Sequence, residues 1–281
     1  GHHALGANTA GANNVAMGTN ALDVNTTADN NVAVGYSALG ANTTGTNNVG
    51  MGHNALATNS TGSDNTAVGD NALSTTTVDG NTGIGNAAGT AISSGVANTC
   101  VGNNAGNAIT SGDNNLILGK DAGRTGSPGG NVTSHDNRIC MGDENISEAN
   151  IQVDWSVASD ERDKTDFTAL DVGLDFVNAL APVTYKWDKR SKYIDKTDPG
   201  VDLDTVSHDG THKEDWLDIG FKAQEVEALE IAAGYKIADK TNLTTSLTGD
   251  GKQYGIQYSK FVPILVKAVQ ELSAEIDKLK A

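Results

Sequence analysis

A glycine recurs almost every 17 residues through the first half of the chain, and this spacing limits the possible folds more than any other feature. Successive members of the series are separated by 17, 17, 17, 16, 17 and 17 residues. The series comprises Gly18, Gly35, Gly52, Gly69, Gly85, Gly102 and Gly119. Each glycine ends a short motif such as Asn31-Val32-Ala33-Val34-Gly35. A fixed period of this length predicts a solenoid in which each repeat forms one coil.

Alternation within each motif separates larger apolar side chains from small ones. Val32 and Val34 share one face of a predicted strand, and Ala33 lies on the other. So thin a coil buries little apolar surface, and burial at about 25 cal/mol per Å² barely offsets the backbone entropy lost. Because the small face lets another backbone approach closely, we expect several identical rolls to associate through that face.

The repeat resembles the head repeats of trimeric autotransporter adhesins, which carry motifs like Asn-x-Val-Ala-Val-Gly-x-x-Ala-Leu. Residues 31–39 read Asn-Val-Ala-Val-Gly-Tyr-Ser-Ala-Leu. The resemblance covers about residues 1–125. It implies an all-β, parallel, left-handed β-roll solenoid that is a homotrimer.

The two halves of the chain differ in composition. Residues 1–150 contain 25 of the 33 glycines, a single aromatic residue, Tyr36, and three bases against eleven acids. The remaining residues contain 12 of the 13 aromatic residues and 16 of the 19 bases. We therefore predict two domains, a β-roll over residues 1–153 and a second domain over residues 154–281.

Charge and composition also exclude several classes of function. A net charge of −16 argues against nucleic acid as a partner, and the chain has no run of about 18 apolar residues that could span a membrane. Cys100 and Cys140 fall two coils apart, about 9 to 10 Å, which is too far for an unstrained disulfide. We predict that both are buried thiols, and we predict no metal site and no cofactor.

Hydrophobic periodicity predicts a mixed α+β domain in the second half. It indicates a helix over Thr168–Leu180, a strand over Val183–Trp187 and a strand turning into a helix over Ile219–Glu227. Residues 188–217 are charged and rich in turn formers, which predicts a loop.

The chain ends in a predicted helix with Ser259 as N-cap and Pro263 in its first turn. Its apolar residues are spaced 3, 4, 3, 4 and 3 apart, which is an unbroken heptad seam. The seam consists of Val262, Leu265, Val269, Leu272, Ile276 and Leu279. This pattern favours a short trimeric coiled coil, and the alternative is packing of the seam on its own domain.

Four segments of the second half resemble the intramolecular chaperone domain that ends many phage tail fibres and tailspikes, the peptidase S74 family, which is also found in endosialidases. They are Ser159-Asp160-x-Arg162-x-Lys164, Val183-Thr184-Tyr185-x-Trp187, Gly220-Phe221-x-Ala223-Gln224-Glu225-Val226, and the end from Tyr258 to Leu272. They follow one another in the family's order over about residues 155–281. The resemblance implies a chaperone that trimerises a fibre and then cuts itself off, once and in cis, as a serine endopeptidase with a Ser159–Lys164 dyad.

Elementary chemistry sets conditions on this dyad. A serine hydroxyl attacks a carbonyl only when a base takes its proton, and a lysine is such a base only where burial or nearby cations lower its pKa. Side chains five residues apart on an α-helix point about 140° from each other. We therefore predict that residues 159–164 form a loop or bend.

The bond expected to break lies beside the serine, between Ala158 and Ser159 or between Ser159 and Asp160. Attack of Ser159 on the carbonyl of Ala158 closes a five-membered ring, whereas attack on its own carbonyl closes a strained four-membered ring. Cleavage after Ser159 would more readily use a serine of another subunit, or water. Both bonds remain open.

Together these features predict a phage tail-fibre segment in the virion, assembled in the host cytoplasm and acting at the bacterial cell surface. Its expected partners are two further copies of the chain, the rest of the fibre or tail, and a bacterial surface glycan or receptor. The alternatives are a bacterial or prophage-derived trimeric surface adhesin and a structural stalk without a ligand.

Overall fold

The computed structural model of the protein describes residues 1–152, 154–195 and 202–280. The chain divides into two compact units, one of Gly1–Ile146 with Lys189–Asp209 and one of Ser147–Asp188 with Gly210–Ala281. Val153 at the predicted domain boundary, residues 196–201 of the predicted 188–217 loop, and the terminal Ala281 lie outside the described residues. The division between residues 153 and 154 therefore stays a prediction.

The first unit contains a parallel β-solenoid, as the repeat predicts. One three-residue strand lies in each coil, and eight strands pair in chain order into a single sheet. They are β1 (Val15–Met17), β2 (Val32–Val34), β3 (Val49–Met51), β4 (Thr66–Val68), β5 (Thr82–Ile84), β6 (Thr99–Val101), β7 (Leu116–Leu118) and β8 (Ile139–Met141). Residues at the same repeat position pair, for example Val32 with Val49. The interval before β8 is longer, since Leu116 pairs with Ile139, 23 residues further along the chain.

The small residue at the centre of each strand faces the interior of the solenoid, so the expected side of association is wrong. Ala33 is fully buried, whereas Val32 and Val34 on either side of it are partly exposed. A leucine from the turn segment lies beneath the strand: a Cβ added at Gly50 would be 3.2 Å from Leu39 Cγ. The small residues therefore make room for side chains of the same chain, and the larger apolar residues face outward.

Leucines after the strands form the core of the first coils. The fully buried members of this row are Leu22, Leu39, Leu56 and Leu73. Each has a φ between 48° and 53°, a left-handed conformation that is costly for a residue with a Cβ. Burying a leucine side chain is worth about 1.5–3 kcal/mol, which offsets this strain.

Later coils fill the same space with different residues. The leucine position becomes Gly89 and Gly106, with φ of 60° and 59°, a region that glycine adopts without steric cost. Ile92 and Ile109 are fully buried at the position that is Asn or Thr in earlier coils. The core of the solenoid is thus filled in two ways along one chain: by a leucine in the first coils, and by an isoleucine that accompanies a glycine in the later coils.

A ladder of buried asparagines runs beside this core. Its members are Asn31, Asn48, Asn65, Asn81, Asn98 and Asn115. The Oδ1 of Asn48 accepts the backbone N–H of Asn65 at 3.0 Å, and its Nδ2 donates to the carbonyl of Gly62 at 2.8 Å. Because buried polar groups must be hydrogen-bonded, this amide explains the asparagine that opens each motif.

The thiols lie inside the solenoid as predicted. Cys100 and Cys140 are free and buried, and burial raises the pKa of Cys100 to about 12. Both occupy the central strand position. A Cβ added at Gly106 would meet the sulfur of Cys100. Cysteine, which is larger than the Ala or Gly of earlier strands, therefore occurs where the leucine position is a glycine.

The second unit is a small helix-and-sheet region that ends in a long helix, which agrees with the predicted α+β domain. Its elements are α1 (Leu174–Ala179), β9 (Val183–Tyr185), β10 (Asp218–Gly220), α2 (Ala223–Ala232), β11 (Thr245–Leu247), β12 (Tyr254–Ile256) and α3 (Phe261–Lys280). Strands β9 and β10 pair antiparallel, as do β11 and β12. The core contains Val172, Phe176, Val226, Phe261 and Ile264.

Two predicted helix starts differ from the structure. Helix α1 begins at Leu174 rather than Thr168, because Gly173 precedes it and the Glu271 carboxylate accepts the Leu174 N–H at 2.7 Å. Helix α3 begins at Phe261, since Ser259 lies in a short 3-10 turn, Tyr258–Lys260. Pro263 lies in the first turn of α3, as predicted.

Candidate functional site

The structure brings Ser159 and Lys164 together. Lys164 Nζ lies 2.5 Å from Ser159 Oγ and 3.4 Å from the Ser159 carbonyl oxygen. A single 3-10 turn over Glu161–Asp163 makes this possible, and it confirms the predicted bend. The lysine amine is therefore placed where it could exchange a proton with the hydroxyl.

The neighbouring acid is occupied by another cation. Arg162 donates to Asp160 through Nε at 3.0 Å and Nη2 at 2.6 Å, and the Arg162 backbone N–H donates to the same carboxylate at 2.9 Å. The side-chain hydrogen bond from Arg162, followed by its backbone hydrogen bond, holds the pKa of Asp160 below its usual value. Arg162 therefore pairs with Asp160, and Lys164 is directed at the serine.

The site is open to solvent in a single chain. Ala158, Ser159, Asp160 and Lys164 are all exposed. Both bonds beside Ser159 are accessible, and neither is singled out by its surroundings. A lysine acts as a base where burial disfavours its charged form, so the geometry supplies proximity and does not by itself supply the low-dielectric surroundings.

The heptad seam of α3 does not pack on its own domain. The exposed fractions of Val262, Leu265, Val269, Leu272, Ile276 and Leu279 range from 41% to 87%. The adjacent side of the helix, about 100° around its axis, provides Phe261, Ile264 and Ala268, which are buried. One face of α3 thus belongs to the core of the unit, and the other presents an apolar stripe to solvent.

The segment that starts at the serine is similar to a known protein family. Residues 159–235 match the family model described as chaperone of endosialidase, of the peptidase S74 family. Over these residues the chain is similar to an endosialidase-chaperone domain. Such a domain indicates a trimerisation chaperone of the tail-fibre or tailspike type, and together with the β-solenoid it fits a tail fibre with a C-terminal chaperone. No curated protein and no solved structure matches the chain.

The match places the candidate dyad at the very beginning of the chaperone domain. It covers about a quarter of the chain and includes α1, β9, β10 and α2, whereas α3 lies beyond it. The roles of Ser159 and Lys164 in cleavage, and of the α3 seam in trimerisation, stay predictions.

Other observations bear on ligands and membranes. Within the described ranges, no group of three or more His, Cys, Asp or Glu side chains is arranged to hold a metal ion. In that same part of the chain no helix combines the length and apolarity needed to cross a bilayer.

Sequence reasoning missed two carboxylates that organise the chaperone domain. Glu230 on α2 is 1% exposed, and it accepts hydrogen bonds from the backbone and hydroxyl groups of Thr244 and Thr245. Glu271 on α3 receives the N–H that opens α1. The sequence feature that could have predicted the burial of Glu230 is its position four residues after Val226, on the same face of the helix.

Proposed function

We propose that the chain is part of a phage tail fibre that attaches to the bacterial surface, trimerises through its chaperone domain and loses that domain by self-cleavage beside Ser159. The observation that carries the proposal is the 2.5 Å contact between Lys164 Nζ and Ser159 Oγ, at the first residue of the family match. Homotrimerisation and cleavage are steps of one assembly process.

The cleavage chemistry follows from these two groups. Lys164 in its neutral form takes the hydroxyl proton while Ser159 Oγ attacks a neighbouring carbonyl carbon. The tetrahedral adduct collapses by breaking the C–N bond, and the proton passes from the lysine to the departing amine. Attack on the Ala158 carbonyl gives an ester that water hydrolyses. For the Ser159–Asp160 bond, the nucleophile is a serine of another subunit, or water.

Exposed apolar surfaces on both units support association. The outward strand residues of the roll include Met17 at 62% and Met141 at 50% exposure in the end strands, and Met51 at 42% and Ile84 at 41% in interior strands. A Val, Ile, Leu or Met occupies this last strand position in every coil. The α3 seam adds a second apolar stripe. Contiguous apolar surface of this kind marks sites of protein association. Three copies that bury both surfaces satisfy the expectation of a trimer, through the face opposite to the one expected from small residues.

Assembly also explains how an exposed dyad could become active. Association that covers the region of Ser159 would remove water from the lysine amine and favour its neutral form. Cleavage would then follow trimerisation and not precede it. Rolls with similar coils can pair in registers that are shifted by one coil. A terminal trimerising domain would fix the alignment of the three chains before the rolls associate along their length.

Removal of the chaperone would make the fibre persistent. Once the aligned rods have lost the domain that nucleated their assembly, they can unfold and form again only across a high barrier. The rod is therefore kinetically stable. The product is a rod in the virion whose surface is available to a bacterial glycan or other receptor.

Intact-mass analysis of the full chain under denaturing conditions tests the cleavage. The wild-type protein should yield fragments ending near residue 158 or 159, and the masses decide which bond breaks. Ser159→Ala and Lys164→Arg should each leave the chain intact, since the first removes the nucleophile and the second replaces the base with a guanidinium that stays protonated. Ser156→Ala, three residues away and also exposed, is the matched control and should be cut normally. A folded trimeric wild-type chain that remains whole contradicts the proposal.

A further inference from the structure

One row of side chains on the solenoid differs from the turn chemistry around it. Tyr36, His53, Asp70 and Asn86 each directly follow the glycine of their motif, so they occupy the same position in four successive coils. Tyr36 is the single aromatic residue of residues 1–150, and it is 53% exposed. Its ring is thus an exposed aromatic group in a row that otherwise consists of polar side chains.

The members of the row contact one another from coil to coil. The rings of Tyr36 and His53 are stacked, with centroids 5.6 Å apart and an interplanar angle of 29°. His53 Nδ1 lies 2.7 Å from Asp70 Oδ1. Asn86 Nδ2 donates to Asp70 Oδ2 at 3.0 Å, and Asn103 Nδ2 donates to Asn86 Oδ1 at 3.0 Å. The row is therefore an ordered strip and not a set of independent side chains.

We infer that this strip, Tyr36–His53–Asp70–Asn86, is a binding site for an uncharged oligosaccharide. The inference rests on the proposed attachment function and names the surface that carries it. Aromatic rings offer an apolar face for the C–H face of a pyranose and, in tyrosine, a polar edge. The carboxylate and amides beside the rings have remaining lone pairs and N–H groups for sugar hydroxyls. The coil spacing of about 4.8 Å is on the scale of one sugar ring, so adjacent coils can contact adjacent units of a chain.

Charge narrows the class of glycan. The strip contains a carboxylate, and the first 150 residues carry three bases against eleven acids. An acidic polysaccharide would be repelled by this field. Neutral or N-acetylated sugars fit the charge, and a trimer would present three strips to one surface, so that weak individual contacts add up through avidity.

The test uses the full-length chain on an array of neutral, N-acetylated and uronate-containing bacterial oligosaccharides, followed by titration calorimetry with the best binder. Tyr36→Ala should weaken binding about tenfold or more by removing the apolar platform. Asp70→Asn should weaken it as well while keeping the shape of the strip. Thr44→Ala, at an exposed turn position of the roll away from this strip, is the matched control and should bind as the wild type does. Circular dichroism should show unchanged melting for all three variants.

The outcomes separate the two claims. Wild-type binding that Tyr36→Ala leaves intact, that Thr44→Ala abolishes, or that selects only acidic sugars overturns this assignment while leaving glycan attachment in place. A wild-type trimer that binds nothing on the array, and no host cell surface, overturns both the strip and the attachment function.

Discussion

A single buried carboxylate fixes the 243–245 segment of the chaperone domain against a helix. Glu230 accepts from the Thr244 N–H and hydroxyl at 2.6 Å each, from the Thr245 hydroxyl at 2.6 Å and N–H at 3.1 Å, and from the Leu243 N–H at 3.2 Å. Burial raises the pKa of this carboxyl, but the hydrogen bonds from Thr244 and Thr245 lower it by more, and the pKa lies below its ordinary value. The ionised form is therefore the one that the fold binds.

Replacing Glu230 by Gln should destabilise the chaperone domain at pH 7 by about 2–4 kcal/mol, because the neutral amide turns an NH₂ group toward donors that need an acceptor. A depressed folded-state pKa contributes stability above the unfolded pKa, about 4.3, and this contribution is lost as the pH falls through the folded pKa. The gap between wild type and Glu230→Gln should thus shrink below about pH 4.

Urea unfolding followed by the helical circular dichroism signal measures this gap, since the α-helices of the described residues all lie in the second unit. Glu225→Gln on the same helix is the control, because Glu225 is exposed in a surface pair with Lys222. The role of Glu230 is refuted by equal urea midpoints for Glu230→Gln and the control at pH 7.

At the scale of the coil, the core is a set of matched positions rather than independent residues. A Cβ added at Gly89 would lie 2.7 Å from Leu73 Cδ2 in the preceding coil, 2.9 Å from Ile92 Cδ1 and 3.7 Å from Cys100 Sγ. Coils with a leucine at the Gly89 position have Asn or Thr where Ile92 stands, and Ala or Gly where Cys100 stands. The volume of one residue decides what the other two can be.

Gly89→Leu alone should therefore destabilise the solenoid by about 1–3 kcal/mol through overpacking. Adding Ile92→Asn and Cys100→Ala, which restores the residues of the earlier coils, should recover most of the loss. The new amide would reach the carbonyl of Gly95, as Asn42 Nδ2 donates to Gly45 at 2.9 Å. Melting temperatures of the single, triple and Ile92→Asn/Cys100→Ala variants give the coupling. If the change in stability of the triple variant equals the sum of the changes in Gly89→Leu and in Ile92→Asn/Cys100→Ala, the three positions are not coupled and the prediction is wrong.

The period of the repeat was sufficient to predict the solenoid, the seven strands that precede the glycine series and the buried thiols, because these follow from recurrence and alternation. It was not sufficient to predict which strand face is inside. Alternation defines two faces, and the choice depends on the turn segment that folds beneath the strand. Leu22 and its equivalents recur at the same interval, but their left-handed backbone and full burial follow from packing. Similarly, the start of α1 depends on Glu271, 97 residues away, which no local pattern contains.

Sequence predicted some features of the candidate site and not others. The Ser159–Lys164 pair was predictable because its bend is local and its motif resembles a known family. The pairing of Arg162 with Asp160 and the contacts of Glu230 required the folded chain, since sequence alone does not state which acid a base will choose.

At the scale of the whole molecule, a single chain exposes apolar surface of the kind that marks sites of protein association. Outward strand residues run along the roll, and Leu272 and its seam partners lie on the free side of α3. The pocket along this helix is lined by Val262, Leu265, Val266, Val269 and Gln270, which is the kind of hole that an a/d side chain of a neighbouring helix fills. Three copies would close both surfaces at once.

Leu272→Asp should convert the protein from trimer to monomer, because it places a charge in the buried seam of a coiled coil at a cost of several kcal/mol. Ala274→Asp adds the same charge two residues away, off the seam at an exposed position, and should leave the trimer intact. Light scattering of the full chain measures the mass of both variants. If trimerisation also covers the dyad, Leu272→Asp should remain uncut in the intact-mass assay while Ala274→Asp is processed. A Leu272→Asp protein that is trimeric and cut would remove the helix from the mechanism, and a monomeric protein that still cuts itself would separate cleavage from assembly.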